Sequence, residues 1–222
     1  LALFDMDRTL LVKETASIYV RYQREIGEAS SADLLRTLYW VAKYTVGLLD
    51  AATVAEQASL ALAGSEEARF IARCEDWFVR YVAHHLTIEG RERVAHHAGA
   101  GDVCAIVTGA TVYSSRPLAK LLGIPHLVAS ELEVDARGLF TGKAKHPLCF
   151  GEGKLTRATH FASALGARLE DAVFYTDSVS DLPLLERVGE PVAVNPDPRL
   201  ARIAKQRGWR IDTAGGHILA DQ

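Results

Sequence analysis

Apolar positions change their spacing twice along the chain. Leu1 to Phe4 is a short continuous apolar run that stops at Asp5-Met6-Asp7-Arg8-Thr9, the pattern of a buried strand running out into a loop. From about Glu14 to His85 the spacing becomes helical. Ile18, Tyr19, Tyr22 and Ile26 keep it first, then Leu34, Leu35, Leu38, Tyr39, Val41 and Ala42. Asp50 to Ala63 is Ala-rich, with Asp50 placed to cap it, and Ser65-Glu66-Glu67 opens a further helix through Phe70, Trp77 and Val82. Gly27, Gly47 and Gly64 stand where these helices would end.

Beyond Ile88 short apolar runs alternate with helical stretches. Val103 to Val107 reads as a strand ending in Thr108-Gly109-Ala110, followed by a helix that stops near Gly123. Leu127 to Ala129 is another short strand, and Glu133 to Thr141, with Gly138 inside it, reads as a hairpin. Lys154 to Leu165 is a helix, Ala172 to Tyr175 a strand ending in Thr176-Asp177, and Leu182 to Val188 a helix. Pro191 to Val194, Pro198 to Arg207 and Trp209 to Ile211 complete a strand, helix, strand series. This order predicts an α/β fold, a parallel sheet covered by helices on both faces. Some seventy helical residues after the first strand exceed the dozen or so that one crossover needs. They are expected to form an inserted helical cap over residues 15–85, on a core of 1–14 and 86–222.

Composition adds limits. With 222 residues, 49% hydrophobic and 24% charged, the chain is expected to be a soluble globular protein of one large domain plus its insertion. A formal charge of -3, with both signs interspersed, argues against nucleic acid or anionic membrane as partner. No apolar run approaches the roughly 20 residues of a spanning helix. Cys74, Cys104 and Cys149 are scattered and odd in number, and the chain opens on a strand, not a charged leader. A reducing cytoplasm is the expected setting; self-association stays open.

The chemistry gathers at strand ends, where α/β sheets bind ligands. Asp5 and Asp7 follow the first strand, Thr108 follows a second, and Asp177 and Asp181 follow a third, with Lys154 near the start of the preceding helix. Any one of these is ordinary as a cap or a turn; the ordered set is not. A phosphomonoester is anionic, so an aspartate nucleophile meets repulsion that Mg2+ would neutralise. Asp5, the carbonyl of Asp7, and Asp177 are oxygen donors for that ion. Lys154 adds positive charge for the nucleophile and the phosphoryl group. Thr108 and backbone N–H groups, including that of Gly109, can donate to phosphoryl oxygens. Asp7 can protonate the leaving oxygen and later take a proton from water.

Phe4-Asp5-Met6-Asp7-Arg8-Thr9, Val107-Thr108-Gly109-Ala110, Lys154, and Tyr175-Thr176-Asp177-Ser178-Val179-Ser180-Asp181 together resemble the four motifs of the haloacid dehalogenase superfamily. Within it the chain looks like the group that includes phosphoserine phosphatase, with its helical cap between motifs one and two. The resemblance implies a Rossmann-like core, Mg2+, and an aspartyl-phosphate formed on Asp5. It also implies a small phosphorylated metabolite as substrate, such as phosphoserine, histidinol phosphate or another small alcohol phosphate. Arg8 departs from the Gly of many relatives, either to meet substrate phosphate or to point into solvent, the latter preferred. Thr108 stands for the usual Ser and keeps the hydroxyl. Asp181 either ligates the metal, directly or through water, or holds Lys154 in place. Glu14, nine residues after Asp5, either faces a substrate amine, as in similar phosphoserine phosphatases, or serves the first turn of a cap helix.

Other signals carry less. His84-His85 and His96-His97 are adjacent pairs that diverge on a helix. Gly151-Glu152-Gly153-Lys154 lacks P-loop spacing. Tyr39, Trp40, Tyr44, Trp77 and Tyr81 read as cap core. Two other readings remain: a phosphotransferase or phosphomutase on the same site, and a receiver-like module phosphorylated on Asp5. Receivers, however, are shorter and lack the helical insertion.

Overall fold

The computed structural model describes residues 1–27 and 51–213. Seven strands form one sheet: β1 (Ala2–Phe4), β2 (Cys104–Thr111), β3 (His126–Val134), β4 (Phe140–Lys145), β5 (Val173–Thr176), β6 (Glu190–Val194) and β7 (Arg210–Asp212). Their order is β4-β3-β2-β1-β5-β6-β7, and every pairing is parallel except β3 with β4. The short first strand therefore lies at the centre, flanked by β2 and β5. Alternation along it places Ala2 and Phe4 in one core and Leu3 in the other, so both faces of the sheet are covered.

Eight helices accompany the sheet among the described residues: α1 (Thr15–Glu25), α2 (Ala51–Leu60), α3 (Glu67–Trp77), α4 (Ile88–Gly99), α5 (Val112–Leu122), α6 (Glu152–Ala164), α7 (Leu182–Leu185) and α8 (Pro198–Arg207). Val94 of α4 and Leu118 of α5 pack on the Phe4 side. Ala158 and Ala162 of α6, Leu184 and Leu185 of α7, and Leu200 and Ala204 of α8 pack on the Leu3 side. Caps explain several boundaries. Gly123 and Gly208 end α5 and α8 in the left-handed region, at φ 65° and 67°. Asp197 caps α8, with Pro198 in its first turn.

Three expectations need adjusting. Leu127–Ala129 and the first arm of the hairpin are one continuous strand, β3, whose pairing register shifts against both neighbours. The helix from Ser65 does not run evenly to Val82; α3 stops at Trp77 and a π-helical turn covers Phe78–Val82. Helix α4 went unread, because its glycine and charges mask the apolar spacing. Gly90 is needed there, since a Cβ would press on the Leu10 backbone and the Thr87 hydroxyl. The positions read as helix between Leu34 and Ala42, with Tyr39, Trp40, Tyr44, Gly47 and Asp50, lie outside the described residues.

The chain leaves the sheet region at Leu11 and returns at Leu86, which form an antiparallel bridge. Val12 N–H donates to His85 O at 2.9 Å, and Thr87 N–H to Leu10 O at 2.9 Å, so both crossings are clasped side by side. The helical insert also leans on the hairpin. Gly64 N–H donates to Phe140 O at 2.8 Å, and Phe70, Tyr113 and Phe140 meet edge to face in a third small core. Cys74, Cys104 and Cys149 are buried free thiols, and no described helix is long and apolar enough to cross a membrane.

Candidate active site

Register assembles the site. β1 pairs Phe4 with Ile106 of β2 and with Tyr175 of β5, so Asp5 emerges level with Val107 and Thr176. Thr108 and Asp177 then stand one residue farther along on either side, a strand spacing of about 4.8 Å away. Asp5 N–H donates to Tyr175 O at 2.9 Å, which carries the sheet ladder up to the nucleophile candidate. Past it the chain turns tightly, with the Leu10 and Leu11 N–H groups both donating to Met6 O at 3.0 Å.

Lys154 reaches this edge from α6. Its side chain is 3% exposed, and Nζ lies 2.9 Å from Asp5 Oδ1 and 2.7 Å from Asp181 Oδ2. Both carboxylates hold the ammonium well above the ordinary lysine range, so it stays charged. Asp181 Oδ2 also accepts from the Thr176 hydroxyl at 2.6 Å. Of the two roles left open for Asp181, its geometry is that of holding Lys154.

Asp7 accepts from Thr15 twice: the N–H at 3.1 Å on Oδ1 and the hydroxyl at 3.0 Å on Oδ2. The Asp7 carboxylate thus sits on the N-terminus of α1, a favourable place for an anion. Burial and the charge of Asp5 nevertheless push it up to about 7, against the pull of the Thr15 bonds. Asp5 itself is pushed up to about 6, by burial first, with Lys154 pulling back and Asp181 adding. Asp177 goes up to about 8, through burial and Asp5, with Arg8 opposing and Asp181 adding.

Thr108 is buried, and its Oγ accepts from Ala110 N–H at 3.2 Å. A Cβ at Gly109 would press on the Phe150 ring, which accounts for a glycine there. Arg8 is exposed, and from a left-handed backbone its guanidinium also pairs with Asp177 and approaches Glu14. Glu14 precedes α1, makes no side-chain cap bond, and is exposed.

Several positioning residues escaped the sequence reading. Thr15 and Thr176 orient Asp7 and Asp181. Asp197 braces the loop carrying Asp177: its Oδ2 accepts from Val179 N–H at 2.6 Å, and its own N–H donates to Asp177 O at 2.8 Å. Asn195-Pro196-Asp197-Pro198 was the visible signal, a cap ahead of proline. Gly153 lets α6 pass so close to Leu148 that a Cβ would collide with its carbonyl oxygen.

The fit of a magnesium ion follows from the donors. Among the described residues no group of three or more His, Cys, Asp or Glu side chains stands ready as a metal cage. Magnesium needs none, because it keeps several waters and takes one or two carboxylates. Asp5, Asp177 and Asp181 supply carboxylates here, Oδ2 of Asp181 being shared between Lys154 and Thr176. Burial first, then neighbouring carboxylates (Asp181 for Asp5, Asp5 and Asp181 for Asp177), raise Asp5 and Asp177, the electrostatic condition that a cation relieves. The donor set fits.

A family profile described as HAD, haloacid dehalogenase-like hydrolase, matches residues 2–186. The chain belongs to this family. Its motifs lie along the carboxyl edge of a mostly parallel sheet. The histidinol-phosphatase of Neisseria meningitidis serogroup C is 31% identical to this hydrolase over 95% of the chain and 97% of that protein. Phosphoserine phosphatase SerB1 of Mycobacterium tuberculosis is 30% identical over 95% of the chain and 69% of its own length. A crystal structure from Bordetella pertussis, titled as a protein with unknown function, superposes with a TM-score of 0.89 at 33% identity. That match covers 96% of this chain and 97% of the other.

Proposed function

We propose that this hydrolase is a magnesium-dependent phosphatase for a small phosphomonoester, with Asp5 as covalent nucleophile. The observation that carries the reading is Lys154 Nζ between Asp5 and Asp181, which keeps the buried Asp5 anionic and aimed. Lys154 binds Oδ1 of Asp5, leaving the other oxygen to attack phosphorus as the ester P–O bond breaks. Asp7, with a pKa near neutrality, gives the leaving alkoxide its proton. Water then attacks the aspartyl-phosphate, Asp7 takes back a proton, and Asp5 and inorganic phosphate are released. Thr108 and the backbone beside Gly109 would donate to the phosphoryl oxygens. Asp5, the Asp7 carbonyl and Asp177 would hold Mg2+, which when bound neutralises the repulsion between nucleophile and substrate.

We take residues 15–85 as the unit that covers the site and selects the substrate. Relatives named for histidinol phosphate and phosphoserine share one feature in their substrates, an amine near the phosphate. Glu14 lies where the chain leaves the core for the insert, with a carboxylate suited to that ammonium. The buried free thiols suit a cytoplasmic enzyme. A screen of phosphorylated metabolites with purified protein and Mg2+ tests the reading. Amino-alcohol phosphates should outrank neutral sugar phosphates. At saturating Mg2+, Glu14→Gln should cost the amine-bearing substrate on the order of tenfold in kcat/KM, and p-nitrophenyl phosphate far less. Equal losses on both would remove the amine-reading role, and no turnover of any phosphomonoester would remove the phosphatase.

A further inference from the structure

Arg8 adopts φ 55°, a backbone conformation uncommon for a long side chain. Its guanidinium spans two carboxylates from different parts of the chain: Nε lies 3.2 Å from Asp177 Oδ2, and Nη1 lies 3.7 Å from Glu14 Oε1. The first partner is 10% exposed and the second 61%, while Arg8 is 46% exposed. One edge of the guanidinium therefore sits on a buried carboxylate of the site, and the other reaches a solvated carboxylate at the start of α1. Lys154 is committed to Asp5 and Asp181, which leaves Arg8 as the cation paired with Asp177 among the described residues.

We infer that Arg8 is a resident counter-ion of Asp177, displaced when a divalent cation binds and received by Glu14. The inference rests on the magnesium reading above. A guanidinium and a metal on the one Asp177 carboxylate would stand as two positive groups side by side, so the two compete for it. The path out is short, because Glu14 is already within reach and the arginine is half in water. Arg8 thus lowers metal affinity, and without metal it supplies the positive charge that faces Asp177 whenever that carboxyl is ionised. Glu14 opposes it by stabilising the displaced arginine. This makes Arg8 a positioning residue whose effect is read on the metal.

The test is calorimetric titration of Mg2+ into the metal-stripped full chain and three variants. Glycine takes positive φ freely, so Arg8→Gly should fold; Arg8→Asn, tolerant of the same region, replaces it if circular dichroism shows otherwise. Arg8→Gly should lower the magnesium Kd roughly fivefold, the scale of losing a half-exposed competing ion pair. Arg8→Lys keeps the charge and should stay near the wild type. Glu14→Gln removes the landing site and should raise the Kd roughly twofold. An unchanged or weaker Kd in Arg8→Gly, an Arg8→Lys as tight as Arg8→Gly, or a lowered or unchanged Kd in Glu14→Gln would overturn the inference. Wild-type protein that binds no magnesium would overturn the metal reading and this one with it.

Discussion

Asp5 stands between a penalty and an attraction. Burial favours its proton, and Lys154 at 2.9 Å favours its charge. Replacing Asp5 by Asn should abolish turnover of p-nitrophenyl phosphate while circular dichroism stays unchanged, because an amide cannot form the acyl-phosphate. Asp7→Asn should lose about 10² to 10⁴-fold, the worth of a placed acid–base group. Near-normal activity in Asp5→Asn would remove the nucleophile from the mechanism. Lys154 should also matter for stability, since without it Asp5 and Asp181 are buried carboxyls that lose their ammonium partner. Lys154→Met should therefore cost about 3–5 kcal/mol in urea unfolding at pH 7.5. The loss should shrink at pH 5, where a carboxylate can take up a proton instead. A loss of the same size at both pH values would mean that the methionine fails by packing.

Elements deliver these residues, and Gly153 shows how narrowly. It sits one position before Lys154, where α6 passes against the Leu148 carbonyl. Gly153→Ala should push the helix outward, reduce activity at least tenfold by about 1 Å of misplacement, and lower the melting temperature. Wild-type kcat and melting temperature in this variant would show that the helix adjusts freely. The glycine was visible in the sequence but could not be interpreted there, because its neighbour Leu148 comes from a loop whose path only the tertiary fold supplies. Strand-borne groups were legible for the opposite reason. Asp5, Thr108 and Asp177 each end an apolar run, and parallel register alone brings such ends together. Helix α8 was read to its last residue because Asp197, Pro198 and Gly208 are local signals. Helix α4 was not, since Gly90 breaks the local preference to meet Leu10, a partner distant in sequence. The pairing of Arg8 with Asp177 joins residues far apart in the chain, and no spacing rule reaches that far.

At the scale of the whole molecule, the carboxylate cluster should govern how stability depends on pH. The folded pKa values of about 6, 7 and 8 for Asp5, Asp7 and Asp177 all exceed the ordinary carboxylate value of 3.8. Between that value and about 8 the folded state binds more protons than the unfolded chain, so stability falls as pH rises. Each proton of difference is worth about 1.4 kcal/mol per pH unit. His85 acts in the opposite direction, because burial lowers its pKa and the folded state binds fewer protons near the ordinary histidine range. Carboxylates held low by partners, such as Asp102 and Glu131, change their contribution only at more acid pH. The contribution of the site is therefore best isolated by difference. In EDTA, wild type should lose stability from pH 6 to pH 8 more steeply than Asp177→Asn, which lacks the carboxylate with the highest pKa. Adding Mg2+ should flatten that slope, since the ion holds the site deprotonated, as it already is in the unfolded chain at these pH values. At about 100 times its Kd it should add about 2.7 kcal/mol, a rise of roughly 5–10 °C in a protein of this size. Thermal unfolding at several pH values, with and without the ion, measures both effects. Parallel pH slopes for wild type and Asp177→Asn would mean that Asp177 is already ionised at pH 6, with Arg8 outweighing its burial.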